Sequence, residues 1–198
     1  MGEFQSPIDI AKSISSGDLR PLRFDYRDRE LFLSVAKGSL VGKIEDGGTL
    51  WLGEQGFAPF RLSLHAPSEH RIRGVAADLE IQLLHRNERG DLVALSILAN
   101  EGRRNVTLDQ LIQTLRYRKH EGLRVKSFSL EGLLPERRGY YIYTGSETTP
   151  PCREGVLWVV LSEPISVGRD QVDAVLNLVT PNNRPIQAGM GRTPLRSF

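Results

Sequence analysis

The chain has 198 residues, of which 39% are hydrophobic and 25% are charged. That length suits one domain with a sizeable core, and the composition is that of an ordinary globular protein. The 26 basic and 24 acidic residues leave a formal net charge of +2, which is too small to indicate nucleic-acid binding. No apolar run approaches the roughly 20 residues of a membrane-spanning helix. We therefore expect no nucleic-acid partner and no membrane span.

Cys152 is the single cysteine of the chain, so an intrachain disulfide is excluded. This argues weakly for a protein that works without disulfides and against a secreted one that depends on them. No signal peptide is visible at the N-terminus. We expect a soluble protein, and the sequence leaves its compartment unknown.

Short apolar runs bounded by glycine and charged residues predict a series of strands. The turn at Asn87–Asp91 predicts a hairpin between two of them. Continuous apolar character in the last two runs indicates strands that are buried on both faces. In chain order, the predicted strands are Leu31–Val35, Thr49–Leu52, Arg61–His65, Leu79–Leu84, Leu92–Leu98 and Val156–Leu161.

Two of these strands alternate in a way that gathers polar side chains on one face. Successive side chains of a strand point to opposite faces of the sheet. The leucines of each run should therefore lie towards a core and the polar residues away from it. The shared faces are Arg61, Ser63 and His65 on one strand, and Glu80, Gln82 and Leu84 on the other.

Helical periodicity occurs in two short segments. Thr107–Leu115 places its apolar residues on one helical face, with Thr107 as the expected N-cap. Val167–Leu178 is the second predicted helix, and Pro181 follows its end. No internal repeat or linker is visible, so the sequence predicts a mostly β single domain.

Five motifs follow one another along the chain, at Gln5–Ile10, Ala66–His70, Gly145–Cys152, Glu154–Trp158 and Asn183–Gln187. In wording and order they resemble motifs of the α-class carbonic anhydrases, nearly from end to end. The resemblance implies an α-carbonic anhydrase-like fold in a single domain over residues 1–198. That fold is built on a large, twisted, mainly antiparallel sheet with a few short surface helices.

The resemblance also implies a longer segment ahead of Gln5. Only four residues precede Gln5 in this sequence, so we expect that N-terminal family segment to be absent, either naturally or by trimming. The entrance to the central cavity should then be more open than in the family.

A catalytic zinc held by three histidines is a further implication of the resemblance. The positions that match these ligands read Ser63, His65 and Gln82, and we call them the zinc-ligand positions. A neutral hydroxyl and an amide oxygen are poor ligands for zinc, and one imidazole cannot hold the ion tightly. We therefore expect no zinc, no other metal and no active catalytic residue.

The chain has three further histidines. His70 and His85 match family positions outside the metal shell, where histidines have structural roles. His120 follows a basic segment and has no evident route to the cavity. Ser39 matches the position of the family's proton-shuttling histidine, and a serine cannot exchange protons near pH 7.

Other parts of the family's active site have counterparts here. Thr148 matches the hydroxyl that accepts the hydrogen bond of zinc-bound hydroxide, and Glu69 matches the buried carboxylate that orients it, so both are expected to be vestigial. Glu147 replaces a leucine of the apolar wall and should disfavour carbon dioxide and repel bicarbonate. The expected cavity floor consists of Arg61, Glu80, Leu84, Glu147 and Thr149.

Arg61 and Glu80 are expected to form an ion pair, either directly or through water. Arg61 replaces a glutamine that supports the first zinc ligand, and Glu80 matches the carboxylate that orients the third. Such a pair would supply the positive charge that zinc supplies in the family, provided that it is well hydrogen-bonded.

The leading interpretation is a catalytically inactive carbonic anhydrase-related protein that serves as a binding or interaction module. Family members with missing zinc histidines bind proteins or glycans. The basic residues at Arg103–Arg104 and Arg116–His120 permit an anionic partner, although a solvated surface is the more usual explanation of such short runs. The expected partner is therefore an unknown protein or an anionic ligand.

Other interpretations remain open. A weak zinc-dependent carbonic anhydrase, catalysing reversible CO2 hydration, or an esterase could use a recruited ligand set of His65, Glu80 and an outside residue. Ser63 and His65 could instead form a hydrolytic pair, although no third group is evident to orient them. A structural subunit of a larger assembly is the interpretation with the least support.

Overall fold

The computed structural model describes residues 2–36, 38–116, 123–179 and 181–197. Within these ranges the chain forms sixteen strands and two α-helices, with a 3-10 turn at Glu131–Leu133. His120 lies outside them. The helices are α1 (Val106–Arg116) and α2 (Arg169–Leu178). The strands are β1 (Asp9–Ile10), β2 (Ile14–Ser15), β3 (Arg23–Tyr26), β4 (Arg29–Ala36), β5 (Ser39–Ile44), β6 (Gly48–Leu52), β7 (Gln55–His65), β8 (Arg71–Ile72), β9 (Val75–Ala76), β10 (Leu79–Arg86), β11 (Leu92–Glu101), β12 (Leu123–Phe128), β13 (Tyr140–Ser146), β14 (Glu154–Leu161), β15 (Ile165–Val167) and β16 (Leu195–Arg196).

One large sheet organises the fold. Its strands lie in the order β12-β4-β5-β7-β10-β11-β14-β13-β16-β2, and β3, β6 and β15 join it at the side. Most neighbours are antiparallel, whereas β11 runs parallel to β14 and β15, and β16 runs parallel to β2. The predicted mostly β fold with a large, mainly antiparallel sheet and short helices is confirmed.

The two faces of the sheet are packed against different apolar clusters. Leu62 and Leu64 of β7 and Leu79 and Leu83 of β10 face the larger apolar core, which also receives the buried sides of α1 and α2. A smaller apolar cluster on the other face includes Ile8, Leu84, Tyr143 and Trp158. Because both faces are covered, every residue of β10 from Leu79 to His85 is buried. Alternation along β10 thus separates an apolar core from a buried polar layer, and not a core from solvent.

All six predicted strands fall inside observed ones, and both predicted helices form. The predicted N-cap of α1 is wrong. Asn105 precedes the helix, and its Oδ1 accepts a hydrogen bond from the backbone N–H of Leu108 at 2.9 Å. That contact satisfies one of the free N–H groups at the helix start. Thr107 is instead a buried residue within the first turn.

The start of the second helix also differs from the prediction. Val167 belongs to β15, where it pairs with Glu101 of β11, and α2 begins at Arg169. The side-chain oxygen of Gln171 accepts a hydrogen bond from the backbone N–H of Gly168 at 2.9 Å. Strand pairing therefore removes two residues from the predicted helix. Neither helix in the described ranges is long and apolar enough to cross a membrane.

His85 is a buried histidine of β10 with two hydrogen bonds. Its Nδ1 lies 2.9 Å from the Leu83 carbonyl oxygen, and its Nε2 lies 2.7 Å from the Tyr26 hydroxyl. Burial disfavours the imidazolium form and lowers the pKa of His85 to about 4. The expected structural role of His85 agrees with this position, and the ring is neutral at pH 7.

We predict that His85 makes the protein less stable in acid. Its pKa is about 4 in the folded chain and about 6.5 in the unfolded chain. Between these values the unfolded state binds more protons, so the free energy of unfolding should fall as pH falls from about 6.5 to 4. The loss amounts to roughly 3 kcal/mol. The free energy of unfolding, measured with urea across this pH range, should change less with pH for His85→Gln than for the wild type.

Tyr26→Phe is the matched control for that measurement. It removes the hydroxyl that contacts His85 but keeps the imidazole buried, so it should lower stability and retain the pH dependence. If the free energy of unfolding changed equally with pH in the wild type and in His85→Gln, His85 would not be the source of the pH dependence.

Candidate functional site

The register between β7 and β10 assembles the zinc-ligand positions on one face of the sheet. His65 lies opposite Glu80, and Ser63 lies opposite Gln82. Directly opposed residues on antiparallel strands have Cβ atoms about 4.5–5.5 Å apart. The structure therefore brings Ser63, His65 and Gln82 together, as the sequence pattern predicts.

Gln82 is held by two buried carboxylates. Its Nε2 donates to Glu69 Oε2 at 2.7 Å and to Glu80 Oε1 at 3.0 Å. These acceptors fix the orientation of the amide, because its carbonyl oxygen would be repelled by both carboxylates. The residue is only 7% exposed. The amide nitrogen is thus a shared donor, and only the amide oxygen remains as a metal ligand.

Glu80 is the centre of the buried polar layer. It is fully buried, and burial by itself raises the pKa of a carboxyl. The adjacent His70 more than offsets this by its charge and hydrogen bonds, and the pKa of Glu80 is lowered to about 2. The donors to its two oxygens are Glu69 N, His70 N, His70 Nδ1 and Ser96 Oγ, each at 2.8 Å, and Gln82 Nε2 at 3.0 Å.

The layer continues from Glu80 towards the N-terminal motif. His70 Nε2 lies 2.7 Å from the Tyr143 hydroxyl, and that hydroxyl donates to Ser6 Oγ at 3.0 Å. Burial raises the pKa of Tyr143 well above its usual value. Neither Ser6 nor Tyr143 was identified as a site residue from the sequence, although Ser6 lies in the first family motif and Tyr143 lies two residues before the third.

Both oxygens of the Glu69 carboxylate have hydrogen-bond partners other than Thr148. Glu69 Oε1 accepts a hydrogen bond from the backbone N–H of Arg184 at 2.8 Å, and its Oε2 accepts from Gln82. Among the described residues no hydrogen bond joins Glu69 to Thr148, so the pairing that the family resemblance implies for these two positions is not formed here. The C-terminal segment and Gln82 each donate a hydrogen bond to one oxygen of the Glu69 carboxylate.

His65 has one partnered and one unpartnered nitrogen. Its Nδ1 lies 3.4 Å from the Asn182 carbonyl oxygen and 3.5 Å from Glu69 Oε1, which makes Nδ1 the protonated nitrogen. Its Nε2 is buried and has no hydrogen-bond partner in the described part of the chain. The proposed hydrolytic pair is therefore not formed, since Ser63 makes no hydrogen bond to this nitrogen.

Arg61 pairs with Glu147 and not with Glu80. Arg61 Nη2 lies 3.4 Å from Glu147 Oε1, with the two side chains 33% and 15% exposed. The prediction of a direct Arg61–Glu80 pair is wrong because Arg61 lies opposite Leu84, four residues along β10 from Glu80. That separation is roughly 13 Å. Glu147 is largely buried, and Arg61 opposes its negative charge.

The remaining predicted site residues lie around this network. Leu84 is buried in the smaller apolar cluster. Ser39 is half-buried at the start of β5, opposite Ala36. Thr149 is exposed in the loop after β13, where its carbonyl oxygen accepts from Cys152 N at 3.0 Å. In the ranges that the structure describes, no hydrogen bond connects Ser39 or Thr149 to the buried polar layer.

No cluster of three or more His, Cys, Asp or Glu side chains is placed to hold a metal ion in the described ranges. Those four residue types do not include serine and glutamine, so the side chains of Ser63 and Gln82 are not among them. At the zinc-ligand positions the donors are one imidazole nitrogen, one hydroxyl and one amide oxygen.

Several proteins with a similar sequence and fold are named carbonic anhydrases. The family model for eukaryotic-type carbonic anhydrase matches residues 1–194. The carbonic anhydrase of Pectobacterium carotovorum is 31% identical over 193 residues, which cover 96% of this chain and 79% of that protein. The Photobacterium profundum α-carbonic anhydrase structure has a TM-score of 0.88 at 30% identity and covers 98% of this chain and 89% of that one.

A structure of dioscorin complexed with ascorbate is also similar, with a TM-score of 0.89, 28% identity and coverage of 98% of this chain and 86% of that chain. The chain belongs to the α-type, or eukaryotic-type, carbonic anhydrase family. Its three zinc-ligand positions are occupied by Ser63, His65 and Gln82.

We predict that Gln82 is a stabilising residue. Gln82→Leu keeps a similar volume but removes the donor shared by Glu69 and Glu80, leaving two buried carboxylates short of a hydrogen bond. The free energy of unfolding should fall by about 2–4 kcal/mol. Urea denaturation measures this change.

Ser63→Ala is the matched control, because Ser63 lies opposite Gln82 but its hydroxyl makes no hydrogen bond among the described residues. It should change stability by less than about 1 kcal/mol. A Gln82→Leu variant as stable as the wild type would show that the amide does not support the carboxylates.

Proposed function

We propose that this chain is a carbonic anhydrase-related protein without zinc-dependent hydratase activity, and that it acts as a binding module. The single observation that carries the proposal is the amide of Gln82, whose nitrogen donates to Glu69 and Glu80. A metal at this position would need a lone pair directed towards it. With its nitrogen committed to these carboxylates, the side chain can offer a metal only the lone pairs of its amide oxygen, which is not one of the usual zinc ligands.

The donor set does not fit a tight tetrahedral zinc site. Structural and catalytic zinc sites use Cys, His and carboxylate ligands, and catalytic sites have three of them. Of the three positions only His65 offers such a ligand, through its unpartnered Nε2. The nearby carboxylates Glu69 and Glu80 are committed to hydrogen bonds with their neighbours, so recruiting either one would break the buried layer.

A role in binding is supported by what remains at the site. The Arg61–Glu147 pair places two opposite charges beside the zinc-ligand positions. These groups suit a small polar or anionic ligand better than an apolar gas molecule. One similar structure in the comparisons is of dioscorin complexed with ascorbate, an organic anion. A protein partner is the second class of ligand that this proposal allows.

The alternative is a weak zinc enzyme, either a carbonic anhydrase or an esterase. The buried and unpartnered His65 Nε2 favours it, because a metal ion would satisfy that nitrogen. Relatives that bear the name carbonic anhydrase favour it as well. The two functions differ in whether the chain retains zinc.

We predict that the purified chain, loaded with zinc and dialysed, retains less than about a tenth of an equivalent of zinc per chain, because one imidazole is too few. Metal analysis by mass spectrometry gives this number. Hydration of CO2 by the same sample should equal the uncatalysed rate. Close to one equivalent of zinc, with hydration above background, would establish the alternative function instead.

The matched variant restores imidazoles by combining Ser63→His with Gln82→His. These residues lie directly opposite one another on β7 and β10, so with His65 they would offer three imidazoles on one face. We expect this variant to retain close to one equivalent of zinc. Circular dichroism should accompany the analysis, because the variant also removes the Gln82 amide.

A further inference from the structure

A separate cavity of about 520 Å³ lies where β13 begins and β14 ends. It shares no lining residue with the zinc-ligand positions. Three arginines and two serines contribute to its wall, together with a glycine and a glutamate. The lining residues used below are Arg137, Arg138, Arg196, Ser162, Ser197, Gly139 and Glu163.

Two of the arginines are positioned by aromatic rings. The Arg138 guanidinium lies 4.9 Å from the ring centroid of Phe24 and forms an ion pair with Glu131. The Arg196 guanidinium lies 5.7 Å from the ring of Tyr141. Stacking on an aromatic face leaves the edge of a guanidinium free to donate hydrogen bonds. These two side chains therefore present fixed donors to the cavity.

Positive charge exceeds negative charge in this wall. Arg137 is exposed, and neither Arg137 nor Arg196 forms an ion pair within the described ranges. The one carboxylate of the lining is Glu163, whose Oε2 is buried and has no hydrogen-bond partner in the described part of the chain. Arg138 is paired with Glu131. The two guanidinium groups without an ion pair, Arg137 and Arg196, therefore meet one carboxylate in this wall, and the cavity attracts anions.

Gly139 has no side chain, and this leaves a space in the cavity wall between two hydroxyl groups. A Cβ atom at this glycine would lie 3.0 Å from Ser162 Oγ and 3.9 Å from Ser197 Oγ, so both hydroxyls border the space that the missing side chain leaves. Ser197 Oγ already accepts a hydrogen bond from the backbone N–H of Tyr140 at 2.8 Å. Its own hydrogen is therefore available to donate.

We propose that this cavity binds a phosphate monoester group. A phosphate monoester carries about 1.5 to 2 negative charges at neutral pH and three acceptor oxygens. Arginine forks match those oxygens in pairs, and serine hydroxyls add further donors. A carboxylate has two oxygens and one charge, which leaves part of this donor set unused. This site is independent of the function proposed for the zinc-ligand positions.

Glucose 6-phosphate is the probe, titrated into the whole chain by calorimetry at low salt. Binding should weaken about tenfold in Arg137→Ala, because a hydrogen bond to a charged group is lost. Added salt should weaken it further by screening. Arg89→Ala is the matched control, since Arg89 is exposed and likewise forms no ion pair within the described ranges, but it lies in a different groove. It should leave the affinity unchanged.

Glu163→Gln gives a test of opposite sign. It removes the negative charge of the wall and keeps the shape of the side chain, so affinity should rise severalfold, which a damaged fold cannot produce. Gly139→Ala should abolish binding by filling the space between the two hydroxyls. Unchanged or weaker binding in Glu163→Gln would overturn the proposal.

Titrations with glucose 6-sulfate and with glucose test whether the cavity prefers a phosphate ester to a sulfate ester or to an uncharged sugar. The sulfate ester carries one charge, so it should bind more weakly than the phosphate ester, and glucose should not bind. Equal or tighter binding of the sulfate ester would overturn the assignment to phosphate. Absence of binding by glucose 6-phosphate itself would overturn the site.

Discussion

Two carboxylates buried beneath the sheet, Glu69 and Glu80, are the constraint on which the rest of this structure depends. A buried ionised group is costly unless it is fully hydrogen-bonded. Glu80 satisfies this requirement with five donors, and Glu69 does so with the Arg184 backbone and Gln82. The donors come from distant parts of the chain, so the carboxylates tie strand β10 to the loop before β8 and to the C-terminal segment.

This arrangement explains how the family's fold persists with an altered ligand set. The ionised state of Glu80 rests mainly on His70 and on backbone N–H groups, which are not zinc-ligand positions, with a smaller contribution from the charge of His65. Gln82 adds the one donor that reaches both carboxylates. The polar layer is therefore held by the protein itself. The residues at the zinc-ligand positions can therefore change while the sheet is retained.

Charge is distributed unequally between the two candidate binding regions. Beside the zinc-ligand positions, Arg61 and Glu147 balance each other at 3.4 Å. In the second cavity, the guanidinium groups of Arg137 and Arg196 meet no described carboxylate in an ion pair. Since unpaired charge attracts a ligand more strongly than a pair does, the second cavity has the clearer preference for anions.

Six of the sixteen strands in the described ranges were predictable from sequence, because period-two alternation and apolar runs reflect burial directly, and the same alternation placed Ser63, His65 and Gln82 on a shared face. Motif order also determined the family. The partners of the polar groups follow from the three-dimensional packing and could not be read from the sequence. Arg61 contacts Glu147 rather than Glu80 because antiparallel register separates residues that share a face, and Glu69 contacts Arg184 rather than Thr148 because a distant segment folds back onto it. Alternation fixes the face of a side chain, whereas register and long-range packing fix its partner.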